Sequence, residues 1–136
     1  MHFDTKFAIV VAEDLPVWQK LNVVSFLSGG VTSSPDVFTG EAYTDASGNK
    51  YLPLCVQPII VLQASREKLS TFISRANRNQ AELAIYIEDM FATGNDEDNR
   101  QTVSQYASDQ LPLVGLAMCG NKKLVDKVFK GAKLHD

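Results

Sequence analysis

The hydrophobic positions of this chain fall into uninterrupted runs separated by stretches of helical spacing. Phe7 to Ala12 (FAIVVA) is continuous and largely β-branched, the pattern of a strand buried on both faces. Pro16 suits the first turn of a helix, which is predicted over Val17 to Ser28. Trp18, Leu21, Val24, Phe26 and Leu27 would supply its apolar surface, and Gly29-Gly30 its stop. Thr32 to Asp36 reads as a loop. Phe38 to Tyr43 and Lys50 to Leu54 flank the turn-rich Asp45-Ala-Ser-Gly-Asn49, which predicts a hairpin or an irregular excursion.

The second half repeats the alternation. Val56 to Gln63 is a strand that lies at an edge or starts after Pro58. Ser65 then caps a helix whose buried stripe is Leu69, Phe72, Ile73 and Ala76. Glu82 to Ile87 is a strand ending at Glu88-Asp89. Gly94 to Asn99 is an acidic loop without calcium-loop spacing, leading to a helix over Arg100 to Ala107. The apolar run Leu113 to Gly120 feeds a final lysine-rich helix with Leu124, Val125, Val128 and Phe129 on its apolar side. Strands alternating with helices predict one α/β domain over 1–136, a three-layer sandwich on a mixed, mainly parallel sheet.

Composition narrows the function. Apolar residues make up 45% of the 136, enough for a core of useful size. A formal charge of -3 gives no global field toward nucleic acid. The C-terminal lysines still form a basic face, which either binds a polyanion or only solvates the end of a helix. Cys55 and Cys119 lie in apolar runs and read as reduced core thiols, and the histidines, His2 and His135, sit at the chain ends. That argues against a Cys-His pair, and no metal-ligand spacing occurs, so neither metal nor cofactor is expected. Serine-hydrolase, P-loop and dinucleotide fingerprints are missing. The expected setting is the cytoplasm of a bacterium, with no membrane span.

In parallel α/β sheets, ligands bind beyond the carboxyl ends of strands. Three such ends are predicted here: Glu13-Asp14, Glu88-Asp89 and Gly120-Asn121. Asp89 would serve as a general base or merely as a turn cap. Lys20, near the start of the first helix, would stabilise an oxyanion or remain an ordinary surface lysine. Thr93 would position water or substrate. Asp14, Asn22, Gly120, Asn121 and Lys122 are the candidate ligand contacts around them.

These residues resemble the type II peptidyl-tRNA hydrolase superfamily, and more closely an uncharacterised bacterial family of unknown function within it. The resemblance spans residues 6 to 134. It rests on the first strand FAIVV, Asp14-Leu15 after it, Lys20 on the first helix, and Asp89-Met-Phe-Ala-Thr93 in place of Asp-Ala-Gly-Arg-Thr. It ends with Leu124-Val-Asp-Lys-Val-Phe-Lys-Gly-Ala-Lys-Leu134 in place of Leu-Ile-Asp-Lys-Val-Thr-Gly-His-Leu-Lys-Leu. The family's helix glutamine and histidine fall on Val24 and Leu27, its arginine on Ala92, and Phe38 to Leu54 is an insertion. The resemblance implies a peptidyl-tRNA hydrolase II-like fold more strongly than it implies the activity. One expectation is a hydrolase that cleaves a peptidyl-tRNA-like or N-acyl ester with Lys20, Asp89 and Thr93. The other is a non-catalytic domain that binds a small anion or a protein. The expected partners are an anionic small molecule or a tRNA-like ligand, and a second copy in a homodimer.

Overall fold

A computed structural model describes residues 3–136; His2 lies outside them. Among the described residues the main sheet has five strands: β1 (Thr5–Ala12), β4 (Ile59–Ala64), β5 (Ala84–Ile87), β6 (Leu113–Asn121) and β7 (Lys133–Leu134). Their order is β5-β6-β1-β4-β7. Phe7 to Ala12 are buried, as a continuous apolar run at the middle of a sheet requires. Helix α1 (Val17–Val31) packs on one face of the sheet. Helices α2 (Arg66–Arg78) and α4 (Lys122–Val128) pack on the other and touch each other.

The sheet is mixed, but it is mainly antiparallel, not mainly parallel as expected. Only β1 and β4 run parallel, with Val10 opposite Leu62. Strand β6 is antiparallel to both β1 and β5, and β7 is antiparallel to β4. The reason lies between β5 and β6. Helix α3 (Asp96–Ser104) buries none of its residues, so it does not cross back over the sheet. It stays beside the 3-10 turn Glu88–Ala92. The chain therefore re-enters the sheet at the end it left, where Glu88 N–H donates to the Pro112 carbonyl at 2.9 Å.

Local chemistry explains most boundaries. Strand β4 begins one residue after Pro58, which has no ladder N–H. Ser65 caps α2 by accepting from Lys68 N–H, and Leu69, Phe72, Ile73 and Ala76 are its buried stripe. Asn121 caps α4 through Lys123 and Leu124 N–H. Asn95 caps α3, which starts four residues earlier than expected, because the acidic stretch forms its first turn. Helix α1 runs through Gly29-Gly30 to Val31 instead of stopping there. Val23 and Leu27 hold α1 close to the sheet at Gly115. A Cβ on Gly115 would lie 2.5 Å from Val23 Cγ1 and 2.9 Å from Leu27 Cδ1.

The insertion forms an arm. Gly40 N–H donates to Leu54, and Val56 N–H to Phe38, both at 2.9 Å. Two short strands, β2 (Tyr43–Thr44) and β3 (Lys50–Tyr51), carry it outward. Asp45 closes the tip by accepting from Ser47 and Asn49 N–H at 2.9 Å and from Tyr51 O–H at 2.7 Å. These bonds, the Tyr51 one foremost, hold the Asp45 carboxyl below its usual range. Gly48, at φ +87°, supplies the left-handed turn residue.

Candidate functional site

Strand β1 ends between β4 and β6, and the acidic residues at that end of the sheet are already engaged. Arg66, the first residue of α2, donates its Nε to both Asp14 oxygens at 3.1 Å. Its other arm reaches Glu88 at 2.8 Å. The Glu88 bond foremost raises the Arg66 pKa further, so the bridge is a fixed ionic tie between three strand ends. Asp14 thus serves α2 and β5.

The three residues expected to act together point in different directions. Helix α1 turns 100° per residue, so Lys20 lies on the opposite flank from Trp18 and Asn22. Its Nζ meets His135 Nε2 of the C-terminal tail at 3.0 Å. Asp89 accepts from Tyr106 O–H at 2.9 Å, and that bond raises the Tyr106 pKa. The Thr93 hydroxyl reaches the Met90 carbonyl at 3.0 Å and is in close contact with the Asn99 side chain.

Gly120, Asn121 and Lys122 lie elsewhere again. Because β6 is antiparallel to β1, Asn121 pairs with Thr5 at the start of β1. Lys122 N–H donates to the Asp4 carbonyl there. The expectation of three strand ends in one site therefore fails for this one. Only Asp14 and Glu88-Asp89 share an end of the sheet.

Thr93 and Asn22 do share a cleft. Its walls are α1, the end of β5, the 3-10 turn and the start of α3, and it encloses about 420 Å³. Trp18, Asn22 and Phe26 come from one flank of α1, at i, i+4 and i+8. Facing them are Phe91, Tyr86 and Thr93. The rings touch in sequence: Trp18 and Phe91 centroids are 5.9 Å apart, Phe91 and Tyr86 5.1 Å, and Tyr86 and Phe26 6.2 Å. The Tyr86 hydroxyl donates to Asn22 Oδ1 at 3.0 Å, and burial raises its pKa. Trp18 and Phe26 remain 61% and 63% exposed, so apolar ring surface faces the opening.

The polar part of the cleft is uncharged apart from one acid. Asp96 and Asn99 come from α3 and Asn95 is its cap, and Asp96 pairs with Arg100 at 2.8 Å. None of the residues lining the cleft is cationic. Asp96, Glu97 and Asp98 fill the first turn of α3, where its dipole would otherwise favour an anion. Aromatic faces with amide donors and acceptors suit an uncharged ring with polar edges. Trp18, Phe26, Tyr86, Phe91 and Asn99 were not expected here. The sequence offers only their spacing, with Trp18 and Phe26 eight residues apart on one helix, and that spacing does not show which way they face.

Other expected features have simpler places. Cys119 is buried, with its thiol against Gln57 Oε1 at 3.7 Å, and burial pushes its pKa up. Cys55 is only half-buried, and neither cysteine is paired. Among the described residues no cluster of His, Cys, Asp or Glu could hold a metal. No described helix is long and apolar enough to cross a membrane.

Comparison with known proteins names the family. Residues 5–136 match the family model described as protein of unknown function, DUF2000. A solved structure of a protein of unknown function from Agrobacterium tumefaciens is similar over 99% of this chain and 100% of its own. It is 44% identical, with a TM-score of 0.96. No curated protein matches. The chain belongs to the DUF2000 family.

Proposed function

We propose that this DUF2000 member is a non-catalytic binding domain, which takes a small uncharged ring in the cleft between α1 and α3. The ligand has an apolar face for Trp18, Phe26 and Phe91, and hydrogen-bonding edges for Asn22, Thr93 and Asn99. The observation that carries this reading is the aromatic and amide lining without a cation. The cleft volume suits a nucleobase or a single sugar ring. A small anion or a tRNA-like phosphate finds no charge partner there. The reading also takes the chain as one cytoplasmic domain over 1–136 acting as a homodimer. Two unpaired cysteines support a reducing compartment.

Kinship with the type II peptidyl-tRNA hydrolase superfamily is part of the same proposal. The Asp89 to Thr93 spacing and the Leu124 to Leu134 motif support it. The hydrolytic reading keeps Thr93 in the cleft, but needs Lys20 and Asp89 to leave His135 and Tyr106. A thermal-shift panel of nucleosides, monosaccharides and inorganic phosphate tests the binding reading. Stabilisation by an uncharged ring and none by phosphate is expected. Hydrolysis of an N-acyl ester that collapses in Lys20→Ala and Asp89→Ala would replace binding with catalysis.

A further inference from the structure

Among the described residues, nothing covers two apolar surfaces of this molecule. The first is the arm. Every residue from 40 to 54 is exposed except Pro53, and Leu52 is 86% exposed. Tyr43, Tyr51 and Leu54 are exposed beside it. A pair of two-residue strands does not hold such side chains in place by itself in water. Yet the tip is tightly closed around Asp45. The arm is thus built to a fixed shape and presents apolar side chains outward.

The second surface is the outer flank of α1. Lys20 is the only charged residue in this fifteen-residue helix, and Lys20 is held by His135. Val17 and Leu21 face solvent, 72% and 64% exposed, followed by the small residues Ser25 and Ser28. They stand beside the cleft flank without belonging to the cleft lining. A surface helix without a charged outer face is the pattern of a covered one.

The two surfaces lie at opposite ends of β1. The arm returns at Gln57, whose side chain is bonded to Thr5 at the start of β1. Val17 follows the end of that strand, roughly 26 Å away at 3.3 Å per residue. We infer that two copies of the chain associate about a twofold axis, each laying its arm over the Val17–Leu21 flank of the other's α1. One symmetry operation then covers both surfaces on both copies. Residues 38–56 with the α1 flank supply about the 20 residues a side that a stable interface uses. Charge agrees: the arm carries Glu41 and Asp45 against Lys50, and α1 carries only Lys20.

This inference rests on the homodimer part of the proposed function and not on the ligand. Light scattering and sedimentation of the full chain at micromolar concentration test it, with Leu52→Glu and Leu21→Glu as variants. Both positions are solvent-exposed within one chain, so circular dichroism should show an unchanged fold. Wild type is expected to be a dimer, and each variant to raise its dissociation constant at least ~30-fold. A monomeric wild type would overturn the inference and the homodimer together. A dimer untouched by either variant, or broken by Leu52→Glu alone, would overturn only the arm-on-α1 arrangement.

Discussion

Helices α1 and α2 flank the same sheet and obey different rules. Helix α2 (REKLSTFISRANR) has a buried stripe and an outer face of Arg66, Glu67, Lys68, Ser70, Thr71 and Ser74. Helix α1 (VWQKLNVVSFLSGGV) buries Val23, Leu27 and Val31, then places Trp18, Leu21 and Phe26 outward. Both bury enough side chain to hold the sheet, at about 1.5–3 kcal/mol for each fully buried aliphatic residue. The difference lies in the outer face. That of α2 is made to meet water, whereas that of α1 is made to meet a ligand on one flank and another chain on the other.

Substitutions separate these roles. Leu69→Ala on α2 removes a fully buried side chain and should destabilise the fold by about 2–5 kcal/mol in urea denaturation. Leu21→Ala on α1, measured at dilution, should stay within about 0.5 kcal/mol of wild type. A comparable loss at both positions would show that α1's outer face belongs to the monomer's own core. Gly115→Ala tests the inner face of α1. The added methyl collides with Val23 and Leu27, and a loss of about 1–3 kcal/mol in thermal melts is expected. The smallest effect concerns the helix starts. Ser65→Ala should cost about 1 kcal/mol because α2 loses its cap, read as a lower urea midpoint. Helix α1 has Pro16 at that position and no side-chain cap, so Pro16→Ala should not reproduce that loss.

Much of the fold was legible because its strands are continuous apolar runs and α2 has a regular period. Ser65 as cap, the start of β4 after Pro58 and the hairpin over 43–51 all follow from residue chemistry. Strand direction was not legible. A helix between two strands ordinarily marks a parallel crossover, but α3 has no apolar stripe with which to cross a sheet. That error carried into the site. It placed Gly120 to Lys122 with Asp14, whereas antiparallel β6 carries them to the far end. Taking Trp18, Leu21 and Phe26 only as the apolar surface of the helix left the cleft unseen for a related reason. Apolar residues at helical spacing do not reveal whether they face a sheet or a ligand. Asn22 and Thr93 were the two expected residues that the cleft brings together.

Trp18 is the only tryptophan of the chain and stands at the rim of the cleft, which makes it the direct reporter of the central claim. Its fluorescence is to be titrated with nucleosides and with monosaccharides, in wild type and in Asn22→Ala. The account predicts a saturable change with one of these ring classes, weakened about tenfold or more by Asn22→Ala through loss of its hydrogen bonding. No change with any uncharged ring, alongside a saturable response to inorganic phosphate, would contradict it.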